Sequence, residues 1–295
     1  MKHSLTYYIT LLVIKLKGLK KNFSEDPIDY LKIRKEDVHE PKGRFFKENQ
    51  LRKFNISNST ITEIGQNKNS EQLVIFLHGG AFISGPTEHH WNALMEIAKQ
   101  TQFKVWMCDY PKAPENHISA ISENIDSIYE TALSSYKSEN IFLIGDSVGG
   151  TLVTTLTQRL IKNKIDLPRK VILICPVMDA SMSNPEIKLI DASDPILSRK
   201  GVLSAKKMCA GTTDLKNELI SPLYGSFDKF PETIIFIAEN DITLPDQKKV
   251  VQKMKETKIK FEIVVGEDMP HIWPFLPVMK EAKTALNDII QYLKK

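Results

Sequence analysis

Ser147 lies between two glycines in Gly145-Asp146-Ser147-Val148-Gly149, a Gly-x-Ser-x-Gly spacing that suits a nucleophile. Ile141 to Ile144 read as a buried strand, and Thr151 to Leu160 follow with helical composition and no breaker. A serine on such a strand-turn-helix elbow is pushed above the sheet edge in a strained backbone conformation. Glycine suits positions 145 and 149 because strand and helix approach there too closely for a Cβ. The helix N-terminus adds partial positive charge where an oxyanion would form. Alone, the spacing also fits a phosphate-cradling turn, so the partners decide.

Acyl transfer needs a base for the hydroxyl proton, an acid to orient the base, and donors for the tetrahedral oxyanion. On an elbow of this kind the acid and base follow the serine, in that order, on loops after later strands. Asp241 follows an apolar run from Thr233 to Ala238, and His271 follows one from Phe261 to Val265. Glu239 is a rival orienter, Asp268 sits too near His271 in sequence, and Asp246 suits a helix cap. His3, His39, His89, His90 and His117 read as surface or helix-cap residues. For the oxyanion, His78-Gly79-Gly80-Ala81-Phe82 ends an early apolar run, and its adjacent glycines let backbone N–H groups turn inward. Val148 N–H, just after the nucleophile, completes the set. A simple β-turn with a capping histidine is the competing reading of residues 78–82.

Four blocks together resemble the hormone-sensitive-lipase family of α/β-hydrolase esterases. They are residues 78–82, Asp109-Tyr110-Pro111-Lys112-Ala113-Pro114-Glu115, Gly145-Asp146-Ser147-Val148-Gly149-Gly150 and Ser221-Pro222-Leu223-Tyr224-Gly225. They are similar to that family's HGGG, DYRLAPE and GDSAGG motifs, in order over roughly residues 70–295. The resemblance implies a carboxylesterase with Ser147 as nucleophile, Asp241 as orienter and His271 as base and later acid. It also implies an oxyanion loop of Gly79, Gly80 and Ala81 with Val148, in which Gly80, Ala81 and Val148 donate and Gly79 allows the bend. It implies no metal and no organic cofactor. The chain departs from the pattern at Ala81 (commonly a third glycine), Val148 (usually alanine) and Lys112 (usually leucine). Five positions, not four, separate Asp241 from Asp246. His78, Asp109, Tyr110, Glu115 and Asp146 are expected to support the loop and elbow. Phe82, Met178, Trp273 and Phe275 are candidate pocket walls, although such side chains are as often plain core.

To hold these residues together, apolar strands alternate with helical stretches from Leu73 onward, which argues a mostly parallel sheet covered by helices on both faces. The resemblance makes it the eight-stranded α/β-hydrolase fold with a helical cap. Arg52 to Ile64 reads as a hairpin. Residues 1–50 read as N-terminal cap helices and 51–295 as the catalytic domain. Residues 178–230, which carry no clear strand, would contribute to the cap.

Composition bounds the rest. The 295 residues are 42% hydrophobic and 26% charged, ordinary for a globular protein. The net charge of +4 is uneven: residues 1–53 carry 13 Lys and Arg against 7 Asp and Glu. No basic-aromatic module favours nucleic acid. The basic, apolar N-terminal segment is compatible with weak contact with a membrane surface, and a homodimer stays open. Three scattered cysteines suggest buried thiols in a reducing, cytoplasmic setting. The expected partner is a small acyl ester of short or medium chain. The alternatives are a non-catalytic ligand receptor on the same fold, or an amide or lipid hydrolase using the same three residues.

Overall fold

The computed structural model describes every residue except Met1, Gln50, Gln66 and Lys68. Its framework is one eight-stranded sheet: β1 Arg52–Ile56, β2 Ser59–Ile64, β3 Leu73–Leu77, β4 Lys104–Asp109, β5 Ile141–Asp146, β6 Lys170–Ile174, β7 Glu232–Asn240 and β8 Phe261–Pro270. The spatial order is β1-β2-β4-β3-β5-β6-β7-β8. The β1–β2 hairpin pairs antiparallel and joins β4 antiparallel, and every other pairing is parallel.

Eleven helices are present among the described residues. In chain order they are α1 Leu5–Lys17, α2 Leu19–Asn22, α3 Tyr30–Ile33, α4 Arg44–Glu48, α5 Glu88–Thr101, α6 Ile118–Leu133, α7 Val148–Asn163, α8 Ile187–Asp191, α9 Arg199–Ala210, α10 Leu244–Lys255 and α11 Lys280–Lys294. The central strands β3, β5 and β6 are buried at every residue, as expected where helices cover both faces. Odd positions of β3 (Leu73, Ile75, Leu77) face a core shared with α6, α7 and α10. Even positions (Val74, Phe76) face a second core with α5 and α11.

Gly18, with a φ of 63°, ends α1 in a left-handed turn. Beyond it, the N-terminal segment packs against residues 182–204. Gly201 N–H donates to Phe23 O at 2.9 Å, and any Cβ on Gly201 would strike that carbonyl. Ile28 N–H donates to Ser204 Oγ at 3.0 Å. Ile14, Ile187, Ile196, Leu197 and Val202 form a small separate core with Ile242, beside the loop after β7. Residues 178–230 contain α8 and α9 and no strand among the described residues. Among the described residues, no helix is long and apolar enough to cross a membrane.

Candidate active site

Parallel register gathers the candidate residues at one sheet edge. Leu77 pairs with both Cys108 and Gly145, so the residues that follow, His78, Asp109 and Asp146, emerge side by side. Asp146 pairs with Ile174, which sets Cys175 beside Ser147. A register shift between Ala238 and Asn240 lets Asn240 pair with Pro270. The next residue on each strand is Asp241 or His271, so the irregularity delivers the two as neighbours.

Ser147 adopts φ 51° and ψ −119°, a left-handed conformation that costs a non-glycine residue energy. Its backbone is held on both sides: Ser147 N–H donates to Ile174 O at 2.9 Å, and its carbonyl accepts from Val177 N–H at 3.1 Å. Gly149 explains why the elbow tolerates nothing larger, since a Cβ there would fall on the Leu77 carbonyl oxygen. One on Gly145 would strike the Gly149 carbonyl.

The loop after β3 also turns through positive φ, at Gly80 (117°), Ala81 (56°) and Phe82 (67°). A Cβ on Gly80 would meet the Ser84 carbonyl oxygen, so glycine is required there on two counts. Among the described residues, the backbone N–H groups of Gly80, Ala81 and Val148 have no backbone acceptor outside regular helix and strand bonding. Gly79 differs. Its N–H donates to Asp146 Oδ1 at 2.9 Å, so it shapes the oxyanion loop and offers no donor to it. Asp146 meanwhile accepts from His90 Nε2 at 3.3 Å, while His90 Nδ1 accepts from Thr87 N–H at 2.9 Å. His90 is therefore the helix cap expected, but a buried one that also steadies the elbow.

The Tyr110 hydroxyl donates to His78 O at 2.6 Å and its ring stacks on the imidazole at 4.4 Å. Burial pushes the His78 pKa well down, so the neutral ring donates from Nδ1 to Gly79 O at 2.7 Å. Asp109 faces outward to Lys112 and to His39, the latter at 2.6 Å, and stands 4.0 Å from His78 Nε2. Glu115 acts at one remove. It grips Arg34 (2.9 and 2.6 Å), and Arg34 in turn donates to Ile83 O and Ala113 O, each at 2.7 Å.

Asp241 and His271 are both buried, with His271 Nδ1 2.7 Å from Asp241 Oδ2. The second carboxylate oxygen accepts from Thr243 N–H at 2.8 Å and Thr243 Oγ1 at 2.7 Å. Burial alone would lower the His271 pKa, but the charge and hydrogen bond of Asp241 outweigh it and raise the value above 6.5. The rival acids are engaged elsewhere: Glu239 accepts from Asp268 N–H at 2.9 Å, and Asp268 meets Lys2 and His3. Asp246 lies in the first turn of α10 and accepts from Asn184 at 2.9 Å. Among the described residues, no hydrogen bond joins Ser147 Oγ to His271 Nε2, and neither atom bonds to any other group.

The four candidate pocket residues divide. Phe82 and Met178 share the α6/α7 core with Ala81 and Val148. Trp273 and Phe275 belong to the opposite core, where Trp273 Nε1 donates to Ile237 O at 3.3 Å and Phe275 packs on Phe76. They underpin the loop carrying His271 and do not line one wall with Phe82. Among the described residues, two groups have donors close enough to hold a metal ion, His89/His90/Asp146 and Cys175/Asp241/His271. In both, donors are already spent on Thr87, Gly79 and the Asp241–His271 pair.

A family model described as the alpha/beta hydrolase fold matches residues 74–275, which contain Ser147, Asp241, His271 and the loop after β3. The chain is an α/β-hydrolase. It is 28% identical over 261 residues to an esterase of Acinetobacter venetianus, covering 84% of each chain. The crystal structure of a putative esterase from Staphylococcus aureus superposes with a TM-score of 0.87 at 26% identity, over 96% of this chain and 99% of that one. An esterase from the bacterial hormone-sensitive lipase family shares the fold at a TM-score of 0.88 and 23% identity, over 99% and 98%.

Three residues that serve this α/β-hydrolase site carry no sequence signal. Arg34 works through carbonyls 49 and 79 positions away. Asp194 accepts from Ile242 N–H at 2.9 Å, beside Asp241. Lys206, wholly buried on α9 and without a hydrogen-bond partner among the described residues, lies over the Phe82 ring at 4.5 Å.

Proposed function

We propose that this chain, a carboxylic ester hydrolase, cleaves short- to medium-chain acyl esters through an acyl-serine intermediate on Ser147. His271 Nε2 takes the Ser147 proton as Oγ attacks the ester carbonyl. The N–H groups of Gly80, Ala81 and Val148 receive the developing oxyanion, each worth about 3–4 kcal/mol in a dry site. The tetrahedral intermediate breaks its bond to the alcohol oxygen, and His271 returns the proton to that oxygen. Water then attacks the acyl-enzyme with His271 again as base, releasing the acid and restoring Ser147. Asp241 keeps the Nδ1–H edge of His271 turned toward itself, so that Nε2 carries the free lone pair.

The observation that carries this reading is the buried 2.7 Å Asp241–His271 pair, on neighbouring strand ends at the edge from which Ser147 emerges. The β-branched Val148, in the same core as Phe82 and Met178, favours a restricted acyl site. The three cysteines are buried and free, which fits a reducing compartment, and on that ground we assign the enzyme to the cytoplasm. The test is turnover of p-nitrophenyl acetate and butyrate. Ser147→Ala should abolish it while leaving the fold intact, and a fluorophosphonate should label the native enzyme once, at Ser147. Turnover retained in that variant, or an unlabelled native protein, would reject the mechanism.

A further inference from the structure

The outer face of α1 is a continuous apolar strip. Leu5, Tyr8, Ile9, Leu12, Val13 and Leu16 are 64, 43, 45, 56, 44 and 77% exposed. Their spacing places them on one side of the helix. Scattered exposed leucines are normal on any surface. Here six of the eleven large apolar side chains exposed among the described residues sit on this one helix. The inner face is already used, with Tyr7, Thr10 and Ile14 buried against the protein. Such a strip on an isolated chain marks a contact surface.

Charge identifies the occupant. Residues 2–24 contain Lys2, Lys15, Lys17, Lys20 and Lys21 and no Asp or Glu. Lys2 is paired with Asp268, and Lys20 donates to the carbonyls of Asp191, Ala192 and Asp194. Lys15, Lys17 and Lys21 have no ion pair among the described residues, and Lys15 and Lys17 flank Leu16 at the end of the strip. An apolar face bordered by unpaired ammonium groups complements a surface that is apolar inside and anionic outside. The α1 segment of a second copy offers the strip no acid and would set like charges together. With 13 residues, α1 is too short to span a bilayer and would lie in its plane.

From this we infer that α1 is an interfacial helix that seats the enzyme on an anionic phospholipid surface. Its attachment gives the contact a direction. Tyr7 Oη donates to Asp268 O at 2.9 Å, Ser4 Oγ donates to Glu281 at 2.7 Å, and Thr6 Oγ1 accepts from Lys280 N–H at 3.0 Å. Leu11 and Ile14 pack in the cluster that takes in Leu276. The helix is thus fastened to residues 268–281, the segment that carries His271. A docked molecule holds that segment close to the headgroups, where amphiphilic esters collect. The substrate class, esters whose acyl chain partitions into lipid, rests on the ester-hydrolase reading; the surface contact itself does not.

The test is co-sedimentation of the full-length protein with phosphatidylcholine vesicles, with and without an equal part of phosphatidylglycerol, at low and high salt. The native protein should pellet with the anionic vesicles, and salt should release it. Leu12→Glu with Leu16→Glu should weaken partitioning at least about tenfold. Lys15→Glu with Lys17→Glu should remove the preference for phosphatidylglycerol. Both double variants should hydrolyse dissolved p-nitrophenyl acetate at the native rate, which also shows that they fold. Native protein left in the supernatant with anionic vesicles, or variants that bind as well as it does, would overturn the inference. So would a native dimer that ignores vesicles and dissociates in the leucine variant. Failure of the ester-hydrolase reading would look different: vesicle binding intact with no turnover of any ester.

Discussion

Asp194 accepts a hydrogen bond from Ile242 N–H at 2.9 Å, so the loop that presents Asp241 is fixed from outside the sheet. Its other carboxylate oxygen accepts from Ile196 and Leu197 N–H, each at 2.8 Å, and thereby shapes its own turn. Lys20 on α2 closes the same turn from the N-terminal side by donating to the carbonyls of Asp191, Ala192 and Asp194. A chain of contacts thus runs from the N-terminal helices to the acid of the proposed triad. Burial, together with the neighbouring Asp241, pushes the Asp194 pKa up to about 6.

Asp194→Asn is therefore expected to act on catalysis through position. An amide nitrogen turned toward Ile242 N–H leaves that donor unpaired, at a cost of about 1–3 kcal/mol. The loop should loosen, and kcat should fall with little change in KM. Steady-state kinetics on p-nitrophenyl butyrate, with thermal melts alongside, check this. A variant that melts lower but keeps its kcat would show that Asp194 serves stability alone.

Asp241→Asn should lower kcat by roughly 10³–10⁴-fold, since the imidazole loses the partner that fixes its tautomer. It should also move the acid limb of the pH profile. In the native enzyme His271 must be neutral to act as base, and Asp241 raises its pKa above 6.5, so activity should fail on the acid side at a pH above that value. With the carboxylate gone, burial dominates and the midpoint should drop. Stability has the opposite sense. The pair contributes fully below the unfolded histidine value, and its contribution fades as pH rises through the raised folded value. The melting-temperature gap between native and Asn forms should accordingly narrow with increasing pH, which differential scanning calorimetry can follow.

Much of this site was readable before any coordinates, for a physical reason. Gly145, Gly149 and Gly80 are required by backbone atoms that approach from the next element, and such constraints leave the same residues in place wherever the geometry recurs. Asp241 and His271 were readable because strand order dictates which loops meet. Arg34, Asp194 and Lys206 were not, because their partners are backbone groups or an aromatic face brought in from distant segments, and no local pattern records that. Strand β8 was read only as far as Val265, yet it runs to Pro270. Its last residues lack apolar alternation and are extended by the pairing of Asn240 with Pro270. The sequence places Trp273 and Phe275 equally well in a pocket wall or in the core, because an aromatic residue near His271 suits either role. Only their place on the α5/α11 face distinguishes pocket from core.

Tyr110→Phe isolates one hydrogen bond. The ring can keep its stacking on His78, but the buried His78 carbonyl loses its 2.6 Å donor, which should cost about 1–3 kcal/mol in denaturant unfolding. That carbonyl precedes the Gly79–Ala81 turn, so the proposed oxyanion donors should lose alignment and kcat/KM should fall about tenfold. Native kinetics in this variant would mean that Gly79, held by Asp146, sets the loop without help from the tyrosine.

Lys206→Met should stabilise the protein. Its Nζ is wholly buried, has no hydrogen-bond partner among the described residues, and lies over the Phe82 ring, and burial brings its pKa down to about 7. Removing an unpaired buried amine while keeping a long apolar side chain is worth about 1–3 kcal/mol near neutral pH. The sign of the pH dependence follows from the shift. Between the folded value near 7 and the unfolded lysine value, the unfolded chain binds a proton that the folded one does not, so the lysine's cost shrinks as pH rises through that window. Below pH 7 both states are protonated and the cost is constant. The advantage of methionine should therefore be largest at and below neutrality and diminish toward alkaline pH, by at most about 1.4 kcal/mol per unit. Urea denaturation of both proteins across that range measures the difference directly. A methionine variant that is less stable at every pH would mean that the ammonium group is held by an attraction stronger than the Phe82 ring can supply.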